Sequence, residues 1–170
     1  MIIDLTAPLY DGMPVYEGDP QVCVTTVRTI EADGWELRQL SMGSHTGTHV
    51  DAPSHMHAGS ATLDDVPLDK FYGPAMLVSA ETEELPRGVG LLFCGDIPTH
   101  RTEAILAANP PFVGGDLTEE MEKELLGAGI VTYTNLINLD LLPDSPFLFS
   151  GFPLRITGGD GSPVRAVAIV

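Results

Sequence analysis

Apolar and polar positions alternate over short stretches, and the periods predict more strands than helices. Val22–Ile30 is dense in β-branched residues and Leu37–Met42 alternates apolar with polar, so these runs predict two strands joined by a hairpin around Asp33-Gly34. Ala75–Ser79 and Gly90–Cys94 are apolar runs bounded by Pro or Gly, the pattern of strands buried on both faces. Ile130–Tyr133 has strand length, and Val164–Val170 alternates like a half-buried strand. Helical signals are fewer. Thr118–Leu126 follows Asp116-x-x-Glu119, which resembles a capping box, carries acidic residues in its first turn and is closed by Gly127. A shorter helix is expected over Thr102–Ala108. Between Ala7 and Pro20 the chain carries Pro8, Gly12, Pro14, Gly18 and Pro20, which predicts a long ordered loop of the kind that shapes sites. The expected class is a mixed α/β or α+β domain spanning residues 1–170, with no internal repeat and no linker.

Composition narrows the partners. In 170 residues, 24 acidic side chains against 8 basic ones give a net charge of −16, which repels a nucleic-acid backbone and an anionic leaflet alike. No apolar run approaches the roughly 20 residues needed to cross a bilayer, and Met1-Ile-Ile-Asp-Leu5 lacks the features of a secretion signal. Cys23 and Cys94 form no CxxC spacing, so neither a disulfide framework nor a thiolate zinc site is indicated. These features predict a cytoplasmic protein with neither nucleic acid nor membrane as partner.

The distribution of histidine changes the picture more. Four of the five, His45, His49, His55 and His57, crowd into Ser44–His57. His45-x3-His49-x-Asp51 offers two imidazoles and a carboxylate, a set suited to zinc, manganese or ferrous iron that leaves coordination positions open for chemistry. Gly47, Thr46, Thr48 and Pro53 make a poor helix. With a turn at Thr46-Gly47 and an extended Thr48–Asp51, His49 and Asp51 fall on one face. His55 lies near enough to act as general acid or base. His57 is an undecided neighbour, His100 reads as a loop residue, and Glu119, Glu120, Glu122 and Glu124 read as a solvated helix face. Tyr16, Trp35 and Phe71 are candidate apolar walls or core residues.

The segment His45-x-Gly47-Thr48-His49-x-Asp51-x-Pro53-x-His55 resembles the signature of the metal-dependent cyclase family, which includes bacterial kynurenine formamidases, isatin hydrolases and related amide or lactone hydrolases. Asp4-Leu5-Thr6-x-Pro8-Leu9, Pro14-Val15-Tyr16-x-Gly18-Asp19, Asn135-Leu136-x-Asn138-Leu139 and Gly161-Ser162-Pro163-Val164-Arg165 resemble its opening and closing segments. The resemblance implies a swivelling β/β/α domain with a barrel-like mixed sheet, assembled as a homodimer or homotetramer. It also implies metal ligation by His45, His49 and Asp51, acid/base catalysis by His55, and a substrate-lining role for Tyr16.

Two departures from the family pattern shape the expectation. Where two-metal members carry a downstream His and Glu, this chain has Glu122 and Thr134; Glu122 can coordinate, whereas the neutral Thr134 hydroxyl gives little charge to hold an ion. Only one zinc or manganese ion is therefore expected. The stretch between Cys94 and Thr118 also reads as shortened, with a helix and strand compressed or absent. The expected activity is hydrolysis of a C–N amide bond, as in an arylformamide or cyclic amide, or of a lactone, by metal-activated water. The alternatives are a non-catalytic binding module of the same fold and a ferrous oxygenase using the two His and one carboxylate.

Overall fold

In a computed structural model, which describes residues 1–79 and 81–170, the strand-rich pattern resolves into one large sheet and a separate ribbon. The chain runs β1 (Ile2–Asp4), β2 (Cys23–Arg28), α1 (Ile30–Asp33), β3 (Leu37–Ser41), β4 (His49–Asp51), β5 (Tyr72–Val78), β6 (Gly90–Asp96) and α2 (Thr102–Ala108). It continues through β7 (Phe112–Asp116), α3 (Glu119–Gly127), β8 (Val131–Thr134), β9 (Phe147–Ser150), β10 (Gly161–Pro163) and β11 (Val167–Ile169). The nine-stranded sheet has the order β1-β11-β9-β5-β6-β7-β8-β4-β10. Strands β5 to β8 are mutually parallel, and the flanking pairs are antiparallel. The segment from β10 to β11 joins the two ends: Gly161–Pro163 pairs with β4, and Val167–Ile169 pairs with both β9 and β1. This curls the sheet toward a barrel, the mixed architecture with few helices that the sequence predicts.

Two cores follow from the alternation along the central strands. Leu92 of β6 points into the barrel with Val50, Phe112, Tyr133 and Phe149, while Leu91 and Phe93 on its opposite face meet Ile105, Met121 and Leu125 of the helices. The first four residues of β6 are accordingly buried on both faces, as expected for a strand covered by a helical layer.

Several boundaries differ from the sequence expectation for local reasons. The first hairpin strand stops at Arg28, because the Thr29 side chain accepts a hydrogen bond from the Ala32 amide and starts the short helix α1. Asp116 is the last residue of β7 and does not cap α3; Thr118 does, accepting from the Met121 amide. Helix α3 runs through Gly127, and Ala128 takes the C-cap. The stretch between Cys94 and Thr118 holds both α2 and β7. Strand β7 escapes sequence reading because Phe112-Val-Gly-Gly-Asp116 has two glycines in five positions. Gly114 is needed there: a Cβ would stand 2.7 Å from Leu136 and 2.8 Å from Leu92.

The ribbon β2–β3 pairs with no other strand among the described residues. Every position of β3 is exposed, and the ribbon and its connection display Val27, Trp35, Leu37 and Leu40 to solvent.

Candidate metal centre

Strand β4 builds the site. Val50 points into the barrel core, which sends His49 and Asp51 to the opposite face. Antiparallel pairing with β8 sets Thr134 opposite His49 and Thr132 opposite Asp51, and pairing with β10 sets Gly161 opposite Asp51. Before β4, Gly47 turns the chain with φ of +62° and brings His45 back over the strand. A Cβ on Gly161 would stand 2.3 Å from His45 Cε1, so the imidazole occupies space that only a glycine leaves.

The rings are held from two sides. His49 Nδ1 donates to the Gly47 carbonyl at 2.7 Å, which leaves Nε2 facing Thr134 Oγ1 at 2.8 Å and Asp51 Oδ1 at 3.5 Å. His45 places Nδ1 2.5 Å from Asp51 Oδ1 and Nε2 2.9 Å from Asp160 Oδ2. His55 ends a 3-10 turn over Pro53–His55; its ring centroid lies 3.9 Å from that of His45, and its Nδ1 is 3.7 Å from Asp160 Oδ2. The Thr132 hydroxyl lies 2.8 Å from Glu122 Oε1 and 3.3 Å from Asp51 Oδ2, linking α3 to the site.

Electrostatics follow from this crowding. Burial by itself would lower the His45 pKa, but hydrogen bonds to Asp51 and Asp160 outweigh it and raise the value to about 9. Burial lowers the His49 pKa, against the pull of the Asp51 charge. Asp51 is nearly fully buried, which would favour its neutral form, yet His45 and His49 keep it ionised below the usual carboxylate range. Glu122 goes the other way: burial and the neighbouring Asp51 charge push it up to about 7. Asp160 is lowered against its burial by His45 and Ser44.

This donor set fits a divalent cation. One ligand atom from each of His45, His49 and Asp51 lies within 4.8 Å of the others, the carboxylate is ionised, and His49 presents an unprotonated nitrogen. His45, His55 and Asp160 make a second convergent group that shares His45. Glu122 is in neither group.

The site opens into a cleft of about 1000 Å³, lined by His45, His49, Asp51, His55 and Glu122 on the floor and by Tyr16, Leu117 and Leu136 among its walls. The loop over 7–20 is tied to it through Thr48, whose hydroxyl accepts from the Ala7 amide at 2.8 Å and donates to the Asn135 carbonyl at 2.6 Å. Of the other candidates, His57 donates to the Lys123 carbonyl and braces α3, His100 is exposed on a separate turn, Phe71 is barrel core, and Trp35 lies on the ribbon. Sequence reading missed Ser44, Thr132 and Asp160. Asp160 carried no periodic signal, being one acidic residue in the turn Gly158-Gly159-Asp160-Gly161.

Comparison with known proteins identifies the family and its fold. The sequence profile of the Cyclase family matches residues 3–108. The chain belongs to this family. Among curated relatives of this cyclase-family chain, the kynurenine formamidase of Paracidovorax citrulli is 30% identical over 210 residues, spanning 98% of this chain and 95% of that protein. The kynurenine formamidase of Salinibacter ruber is 28% identical, spanning 98% and 96%. Isatin hydrolase A from Labrenzia aggregata, solved with benzyl benzoate bound, superimposes with a TM-score of 0.84 at 24% identity, covering 100% of this chain and 93% of that one. A "predicted metal-dependent hydrolase" from Bacillus stearothermophilus gives a TM-score of 0.78 at 26% identity, covering 99% and 97%. The cyclase-family fold implied by the His45–His55 signature is therefore the fold of this chain. Among the described residues, no helix is long and apolar enough to cross a membrane.

Proposed function

We propose that the protein is a metal-dependent hydrolase that cleaves the C–N bond of an arylformamide or cyclic amide, or opens a lactone, using one zinc or manganese ion held by His45, His49 and Asp51. The observation that carries this reading is the convergence of those three donors on the floor of an open cleft, with His55 beside them. The kynurenine formamidase and isatin hydrolase relatives support the amide-hydrolase class.

When bound, a divalent ion at these donors supplies Lewis-acid polarisation of a carbonyl and eases deprotonation of water. The chain's own residues do the rest. Water adds its oxygen to the carbonyl carbon and gives up a proton while the C–N bond, or the ring C–O bond of a lactone, breaks and the departing atom takes up a proton, so none is consumed overall. In this reading His55 delivers the departing atom's proton, supported by its position lining the cleft and a side chain 31% exposed for proton exchange with solvent. Tyr16, 79% exposed at the cleft, supplies an aromatic face for the substrate. Glu122 stands behind Asp51 as an auxiliary carboxylate, reaching it through Thr132, and is in position to support a ligand set that Thr134 leaves short of charge.

The exposed apolar side chains of the β2–β3 ribbon support a homodimer or homotetramer, because an isolated two-stranded ribbon is marginal in water without a covering surface. Free Cys23 and Cys94 fit a reducing, cytoplasmic setting, and the net charge of −16 fits a small-molecule substrate with neither nucleic acid nor a membrane as partner.

The reading is tested by chelating the purified protein, reloading it with Zn²⁺ or Mn²⁺, and assaying N-formylated arylamines, cyclic imides and lactones. Turnover is expected to vanish on chelation and return on reloading. His55→Ala is expected to retain the ion and lose about 10²–10⁴ of the rate. Full turnover by that variant across the panel would refute the acid/base role.

A further inference from the structure

Asp160 stands outside the three-donor group, yet it is the residue on which the arrangement of His45 turns. Its carbonyl accepts from the Ala52 amide at 2.8 Å, which fixes the backbone beside the end of β4. Its carboxylate is fixed from both ends: Ser44 Oγ donates to Oδ1 at 3.0 Å, and His45 Nε2 donates to Oδ2 at 2.9 Å. His55 Nδ1 faces the same Oδ2 at 3.7 Å, with its ring lying over that of His45 at an interplanar angle of 34°. An imidazole has two nitrogens, and a neutral ring has one lone pair to give a cation. In the metal-free ring Nε2 donates to Asp160 and Nδ1 to Asp51; a cation beside Asp51 takes the place of the Nδ1 proton, so the lone pair it meets is that of Nδ1 while Nε2 keeps its proton on Asp160. His49 is committed the opposite way: its Nδ1 donates to Gly47, so Nε2 faces the site.

We infer that Asp160 is a positioning residue: by accepting from His45 Nε2 it fixes the tautomer in which His45 meets a cation through Nδ1 while His49 meets it through Nε2, and it aligns His55 over the same carboxylate. This rests on the reading of His45, His49 and Asp51 as the cation site. A carboxylate behind a ligating histidine both orients the ring and raises its basicity, and its loss typically costs about 10–100-fold in metal affinity. Asp160 makes no contact in the direction of Asp51 that would let it substitute as a ligand of the three-donor group, since it sits on the far nitrogen of His45.

The experiment uses full-length protein and Zn²⁺ alone, with affinity read by chelator competition and the histidine rings of the zinc-loaded wild type read by long-range ¹H–¹⁵N spectra. The wild type is expected to give one ring bound through Nδ1, assigned to His45 by its absence in His45→Gln, and one bound through Nε2, assigned to His49. Asp160→Ala is expected to weaken zinc binding about 10–100-fold. Asp160→Asn, whose amide oxygen still accepts from Nε2, is expected to lose less and carries the comparison should Asp160→Ala fail to fold. Zinc affinity of Asp160→Ala within twofold of wild type, or a His45 ring bound through Nε2 in the wild type, would overturn the inference. A wild type that binds no zinc or manganese at all would instead overturn the cation-site reading itself.

Discussion

Gly161→Ala isolates the shape of the site from its chemistry, because it changes no ligand and no charge. Gly161 lies in β10 opposite Asp51 and is not among the residues with positive φ, so alanine is tolerated by the backbone. The obstacle is steric: the added Cβ would stand 2.3 Å from His45 Cε1, 2.7 Å from Nδ1 and 3.0 Å from Nε2. Ordinary carbon contacts lie at about 3.5–4.0 Å, so the ring must retreat by about 1.2–1.7 Å. It has somewhere to go, because the His45 side chain is 18% exposed toward the cleft. The fold should therefore absorb the change at the low end of the roughly 1–3 kcal/mol typical of overpacking. The site should not absorb it: displacements of about 1 Å cost on the order of 10² in activity, and a hundredfold loss of ion affinity corresponds to about 2.7 kcal/mol. Chelator competition with Zn²⁺, beside thermal melting of the metal-free protein, separates the two effects. The expected result is a dissociation constant raised about a hundredfold with a melting temperature lowered by only a few degrees. Wild-type zinc affinity in Gly161→Ala would refute the claim that His45 must occupy this space to bind the ion.

Other consequences follow from the charges and from the ribbon. In metal-free protein, His45 is raised from 6.5 to about 9 and Glu122 from 4.5 to about 7, so the folded state holds protons that the unfolded chain has released. His49, lowered by burial, acts in the opposite sense below about pH 6.5, so the decisive window is pH 6.5 to 9: there the unfolding free energy of chelated protein should fall with rising pH by on the order of 1–3 kcal/mol after screening in the open cleft, and a flat or rising profile would contradict the arrangement. Leu40→Glu places a charge in the middle of the exposed ribbon, where the side chain is 53% exposed, and light scattering should report smaller assemblies with unchanged secondary structure; an unaltered mass would remove the ribbon from the interface.

The parts of the molecule that could be read in advance are those whose signal is local. An extended His49–Asp51 with both side chains on one face follows from poor helix formers and the period of a strand, and β4 has that form. Helix α2 and the β2–β3 hairpin also carry their own periodicity. Strand β7 does not, because close packing against Leu92 and Leu136 demanded glycine where a sequence pattern needs side chains. Asp160 was invisible for a different reason. It lies 115 positions from the His45 ring nitrogen it accepts from, and only the closure of the sheet by the C-terminal segment brings the two together. Thr132 and Thr134 are similar: β8 was expected, but its register against β4, which sets Thr132 beside Asp51 and Thr134 beside His49, is a tertiary fact.

The distribution of the site over the fold also determines which of its properties can vary independently. His49 and Asp51 sit on a strand paired on both sides, and cross-strand neighbours and the Gly47 carbonyl limit how either can move. The proposed ion-binding half is therefore bound to the sheet, and changing it means changing the register of β4, β8 or β10. Tyr16 and the 135–137 segment, by contrast, belong to connections, and they are joined to the sheet through Thr48, which meets the Ala7 amide on one side and the Asn135 carbonyl on the other. Residues on such connections change shape and chemistry at little cost to the core. His55 is intermediate, in a short turn directly after β4, near enough to share Asp160 with His45 and open enough to exchange protons with solvent. Substrate preference should thus be governed by the 7–20 loop and the 135–137 segment, and ion preference by β4 and its two neighbours, with His55 and Asp160 linking them.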